Sequence, residues 1–109
     1  VSWSPDGKHL ASGAWDNTVI IWDAKSGEKL KTLEGHSESV YSVYWSPDGK
    51  YLASGSQDKT VKIWDAKSGV CMLTLKGHSD YVRSVSWSLD GKYLVSCDRN
   101  GTIRIWGVK

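Results

Sequence analysis

Phenylalanine is missing from this 109-residue chain, methionine occurs once, and there are only two prolines and two cysteines. Cys71 and Cys97 stand alone, without C-x-x-C spacing, which excludes a zinc site built on paired cysteines and leaves no disulfide framework. They read as buried or half-buried thiols. No apolar run approaches the roughly 20 residues of a membrane-spanning helix, and no basic-then-apolar leader opens the chain. An excess of one charge sign is also absent: Lys and Arg exceed Asp and Glu only far enough for a net charge of +2, so charge alone names no partner. With 39% apolar and 24% charged residues the composition is that of a folded domain and not of a disordered one. The expectation is a soluble protein of the cytoplasm or nucleus, without a membrane partner.

What the chain does have is tryptophan, seven of them, and five tyrosines. Trp3, Trp45 and Trp87 are spaced by 42 residues, as are Trp22, Trp64 and Trp106, and Gly35-His36 returns as Gly77-His78 at the same interval. Only Trp15 stands outside the pattern. Residues 1–42 and 43–84 agree at about two positions in three, so the repeat is the architecture.

Within one period the segments between turn signals are short, β-branched and aromatic, and none carries a 3.6-residue apolar rhythm long enough for a helix. The spacing predicts strands over Val40–Ser46, Lys50–Gly55, Thr60–Trp64 and Cys71–Leu75. Between the first two lies Ser46-Pro47-Asp48-Gly49, where Pro presets an early turn dihedral and Gly accepts the positive φ that closes a hairpin. Gln57-Asp58-Lys59 and Asp65-Ala66-Lys67-Ser68-Gly69 supply the other two turns. Each period is thus one four-stranded antiparallel sheet, and the class is all-β.

The Gly-His pair, the Ser-Pro-Asp-Gly turn and the Ile-Trp-Asp closing the third strand resemble, over the whole chain, the WD-repeat family of β-propellers. The resemblance implies blades at about residues 1–35, 36–77 and 78–109, the third lacking its fourth strand. It also implies a hydrogen-bonded set of His, Ser, Asp and Trp in each blade. The second blade matches it with His36, Ser54, Asp58 and Trp64, the first with Ser12, Asp16 and Trp22, and the third with His78, Ser96, Asn100 and Trp106. The residue types suit a directional chain: indole N–H only donates, a carboxylate only accepts, and Ser and His do both. Ser54, His36 and Asp58 also mimic a nucleophile triad, but a set repeated blade by blade reads as framework. No nucleophile elbow, phosphate loop or metal-ligand cluster accompanies it, so no enzyme, cofactor or metal is expected. In the third blade Asn100 stands where Asp16 and Asp58 stand, and Leu89 where Pro5 and Pro47 stand. Both changes predict a looser third blade.

The chain opens inside a first strand, without Met, and ends just after the third strand Thr102–Trp106. On the family's pattern this reads as a cut N-terminus and a native C-terminus, the last part of a longer ring whose remaining blades, or other copies of the chain, would cover its faces. Differences between the repeats cluster at Ser39 and Tyr41 against Tyr81 and Arg83, and at Trp15 against Gln57 against Arg99. The resemblance sets these positions on the rim of the ring's top face, its usual partner-binding surface. Tyr, Trp and Arg are the types that dominate interface hot spots. The function expected is a protein-interaction scaffold for a peptide or partner domain, with Arg83 and Arg99 suited to an acidic or phosphorylated segment. The alternatives are nucleic-acid (RNA) binding by the same face, or a module that assembles rings from its own copies.

Overall fold

A computed structural model describes residues 1–13 and 16–107; Trp15 lies outside the described residues. The chain is all-β as the pattern required, with eleven strands in three antiparallel sheets and no helix among the described residues. None of it is therefore a helix long and apolar enough to cross a membrane. The first sheet holds β1 (Ser2–Trp3), β2 (His9–Gly13), β3 (Thr18–Asp23) and β4 (Lys29–Glu34). The second holds β5 (Val40–Trp45), β6 (Tyr51–Ser56), β7 (Thr60–Asp65) and β8 (Cys71–Lys76). The third holds β9 (Val82–Trp87), β10 (Tyr93–Asp98) and β11 (Ile103–Gly107). In each sheet the strands lie side by side in chain order.

The hairpin between the first two strands of each sheet is set by three residues. Ser46 Oγ donates to Asp48 Oδ1 at 2.6 Å and accepts the Tyr51 N–H at 3.0 Å, while Gly49 takes φ +74° and returns its N–H to the Ser46 carbonyl. Ser4-Asp6-Gly7 and Ser88-Asp90-Gly91 repeat these contacts. The third hairpin, with Leu89 in place of proline, keeps the same bonds as the hairpins that carry Pro5 and Pro47. The proline adds something else: its Cδ packs against the turn glycine of the next sheet, Pro5 on Gly49 and Pro47 on Gly91. Leu89 meets no further sheet among the described residues and is 97% exposed.

Sheet alternation puts apolar side chains on both faces, and the sheets stack through them. Ala11, Val19, Ile21 and Leu33 of the first sheet meet Val40, Val43, Trp45, Leu52 and Trp64 of the second. Ala53, Val61 and Ile63, on the other face of the second, meet Val82, Val85, Trp87 and Leu94 of the third. Each fully buried Leu or Val in these seams contributes roughly 1.5–3 kcal/mol relative to exposure. Trp45 Nε1 donates to the Ser2 carbonyl and Trp87 Nε1 to the Tyr44 carbonyl, each at 3.1 Å, so the first tryptophan of the second and of the third period joins its sheet to the one before. Gly13 and Gly55 let the seams close: a Cβ on either would lie 2.7 or 2.6 Å from Cγ1 of Val40 or Val82.

Candidate functional site

The second tryptophan of each period works inside its own sheet. Trp64 Nε1 donates to Ser54 Oγ at 2.8 Å, Ser54 Oγ lies 2.6 Å from His36 Nε2, and His36 Nδ1 lies 2.9 Å from Asp58 Oδ2. Because the indole only donates and the carboxylate only accepts, Nδ1 carries the imidazole proton and Nε2 accepts from the serine. Burial pushes the His36 pKa down, outweighing the hydrogen bond and charge of Asp58, so the ring is neutral. Burial would raise the Asp58 pKa, but the hydrogen bonds from Thr60, from His36 and from the Ser37 N–H hold it below the ordinary carboxylate value. Ser54 is fully buried with its proton directed at His36, so its hydroxyl is not offered to a substrate.

The third sheet repeats this relay with one change of source. Trp106 donates to Ser96 at 2.8 Å, Ser96 lies 2.6 Å from His78 Nε2, and His78 Nδ1 lies 2.9 Å from Oδ2 of Asp98, not of Asn100. The expectation that Asn100 weakens this network is thereby corrected. Asp98 stands one strand-repeat earlier, at the place of Ser56, and its buried carboxylate reaches the position that Asp58 fills in the second sheet. Its other oxygen accepts the N–H groups of Asn100 and Thr102, both at 3.0 Å, and Asn100 is exposed. Burial would raise the Asp98 pKa, yet the bonds from His78 and these N–H groups hold it below the usual range. The first sheet keeps the Trp22–Ser12 bond at 2.9 Å, while Asp16 accepts from Thr18.

A second cluster lies at the end of the sheets where β5 and β9 begin and β6 and β10 finish. Tyr41 and Arg83 each occupy the extra residue of a β-bulge, since the register passes from Val40 to Ser42 and from Val82 to Ser84 against consecutive partners. A bulge re-aims the side chain it carries. Tyr41 is 44% exposed, donates its hydroxyl to Gln57 Oε1 at 3.2 Å, and lies 6.2 Å from the Tyr81 ring across the seam between the second and third sheets. Arg99 Cζ stands 4.3 Å from the Tyr81 centroid, a cation–π distance. Below it the Gln57 and Arg99 N–H groups bond to the Ser39 and Tyr81 carbonyls, each at 2.9 Å. Five of the expected rim residues, Ser39, Tyr41, Gln57, Tyr81 and Arg99, thus form one connected group. Arg83 is exposed and makes no hydrogen bond or ion pair among the described residues.

Two residues of these clusters escaped sequence reading. Asp80 pairs with Arg99, Nε to Oδ2 at 3.3 Å and Nη2 to Oδ1 at 3.2 Å. The repeat before it has Glu38 there, so an acid replaces an acid and no change of charge marks the position. Asp98 was hidden by alignment on the turn, although a carboxylate two residues before Asn100 was the available signal. Among the described residues no group of three His, Cys, Asp or Glu side chains is placed to hold a metal ion.

Stacked antiparallel sheets of four, four and three strands, each locked by a Trp-Ser-His-Asp relay or part of one, are the blades of a WD-repeat β-propeller. The chain belongs to that family, and across residues 1–109 it matches the family model described as the IFT122 first beta-propeller. Curated relatives match over about one blade. Protein tipD of Dictyostelium discoideum is 53% identical over 32 residues, 29% of this chain and 5% of tipD. The general transcriptional corepressor TUP1 of Saccharomyces cerevisiae is 44% identical over 43 residues, 39% of this chain and 6% of TUP1. The U5 small nuclear ribonucleoprotein 40 kDa protein of Pongo abelii is 45% identical over 42 residues, 38% and 12% of the two chains. The matched segments are thus a small fraction of each relative's length.

Proposed function

We propose that this chain is a non-catalytic protein-interaction scaffold whose rim, at the seam between the second and third blades, receives an acidic or phosphorylated peptide segment or partner domain. The observation that carries the reading is the Tyr41–Gln57–Tyr81–Arg99 group: these four residues, at positions that differ from blade to blade, meet at one exposed end of one seam. Bulged Arg83 adds a cation there, and Tyr and Arg are the types that anchor interfaces. The names of the relatives, a corepressor and a ribonucleoprotein component among them, suit a protein of assemblies in the nucleus or cytoplasm. One observation favours RNA as a second reading, since a tyrosine under a guanidinium is a base-stacking platform. Asp80 counts against it, because it halves the formal positive charge of the rim arginines.

The test is a fluorescence binding screen with an array of short acidic and phosphorylated peptides and, in parallel, oligo(U). The expected result is peptide binding that falls at least about tenfold in the Arg83→Ala/Arg99→Ala double variant and stays within about twofold in Arg104→Ala. Unchanged peptide affinity in the rim variant would refute the site. Oligo(U) binding that weakens log-linearly and steeply with salt would put the RNA reading first.

A further inference from the structure

The Arg99–Asp80 pair has no counterpart in the second blade, where Gln57 and Glu38 occupy the same two positions. Its geometry is specific. Asp80 grips the guanidinium along its side edge, through Nε at 3.3 Å and Nη2 at 3.2 Å, while the Tyr81 ring lies 4.3 Å from Cζ. The carboxylate is the fixed member: its side chain is 13% exposed and Oδ1 also accepts the Tyr81 N–H at 2.7 Å. Arg99, at 53%, is the open one. A guanidinium has five N–H donors, and a side-edge pair engages two, so both protons of Nη1 and one of Nη2 stay available at the far end. Arg83 stands at the bulge position of Tyr41, which in the second blade touches Gln57, the counterpart of Arg99, at 3.2 Å.

We infer that Asp80 is a positioning residue that locks Arg99 on Tyr81 with its outer end presented, and that this end together with Arg83 takes a phosphate monoester in preference to a carboxylate. The inference rests on the rim reading above and names its ligand class. A carboxylate has two oxygens, which one arginine fork consumes, leaving the other arginine unpaired. A phosphate group has three acceptor oxygens and about two negative charges, enough to bridge both arginines after Asp80 has neutralised one of their charges. Locking the side chain beforehand lowers the ordering entropy of binding.

The chain has only three arginines, Arg83, Arg99 and Arg104, so the Nε–H region of a ¹⁵N-labelled sample contains three assignable signals. The probes are inorganic phosphate and acetate, titrated at equal ionic strength. Phosphate is expected to shift the Arg83 and Arg99 signals and not Arg104, at concentrations where acetate shifts none. The Arg99 Nε–H, held by Asp80, is expected to exchange with water more slowly than that of Arg83. Asp80→Ala should equalise the two exchange rates and weaken phosphate binding about threefold or more, although it raises the net charge by one; Asp80→Asn, which keeps an acceptor, should fall between. Unchanged or tighter phosphate binding in Asp80→Ala would overturn the positioning role and show Asp80 to be a competitor. Equal responses to acetate and phosphate would overturn the selectivity. Either result leaves the rim reading standing if Arg83→Ala/Arg99→Ala still abolishes peptide binding, whereas loss of that effect brings down the rim reading itself.

Discussion

Trp64→Phe isolates what the buried relay contributes to the fold. The substitution removes the N–H that Ser54 accepts at 2.8 Å, in a place where Ser54 is fully buried and Trp64 is 1% exposed, so water cannot replace the lost donor. A buried polar group left short of a partner costs about 1–3 kcal/mol. Phenylalanine also withdraws part of the ring that reaches over Gly35, where a glycine Cβ would lie 3.0 Å from Trp64 Cη2, and a large-to-small change in a packed seam adds roughly 1 kcal/mol. The sum is about 2–4 kcal/mol, on the order of 10 °C or more in Tm for a domain of this size. Trp106→Phe breaks the same bond to Ser96, but Trp106 is only partly buried and water can reach the vacated site, so its loss is expected to be smaller. The assay is urea denaturation followed by circular dichroism, with Ser54→Ala and the Trp64→Phe/Ser54→Ala pair completing a double-mutant cycle. Removing both partners should be less damaging than the sum of the single losses. Full additivity, or a Trp64→Phe loss below about 0.5 kcal/mol, would refute the claim that the two act as one relay.

Asp98→Ala should lower the melting temperature clearly and Asn100→Ala hardly at all, because Asp98 alone serves His78 and two backbone N–H groups; equal effects in differential scanning calorimetry would contradict this. Acid should destabilise the chain. Burial depresses the His36 pKa from 6.5, so the unfolded chain takes up the proton first; this stability is complete above about pH 6.5 and lost as pH falls. A melting temperature that rises between pH 7 and pH 5 would mean that a charged His36–Asp58 ion pair is what stabilises the fold. The outward face of the third blade shows Ile103 at 66%, Ile105 at 71% and Tyr93 at 49% exposure, so the isolated chain should self-associate with concentration and Ile105→Lys should reduce it. Light scattering that gives one concentration-independent monomer mass would count against that.

The 42-residue period, the turn chemistry and the alternation of Val61 and Ile63 made the strands legible, because each rests on local backbone preference. Strand limits differ by one residue: the second strand of the second blade runs Tyr51–Ser56 where Lys50–Gly55 is expected, and the last is Ile103–Gly107 where Thr102–Trp106 is expected. The relay of the second blade was legible for a different reason, since the family resemblance implies the set and its donors and acceptors can all be satisfied in that order. The third blade's was misread because alignment tracks position along the chain, while a hydrogen bond requires only that an oxygen arrive at a point in space. Asp98 arrives there from two residues earlier. Tyr41, Gln57, Tyr81 and Arg99 stand out as differences between repeats, but a sequence difference does not show which cations are already paired. The Asp80 pair depends on side-chain direction after the turn, which no spacing rule supplies.

Gly13 and Gly55 act as a key for succession along the stack. Each admits the valine that opens the following blade, and the third blade has Cys97 at the same register, against Ser84 on one side and Ile103 on the other. Cys97 carries a Cβ and a sulfur at the register where Gly13 and Gly55 leave room for Val40 and Val82. A sheet laid on the third blade must therefore present a smaller residue at that point or stand farther off, so the three blades are not interchangeable links. The thiol thus makes the outer face of the third blade unlike those of the first two, and a blade identical to the second cannot be added to the third by repeating the same step.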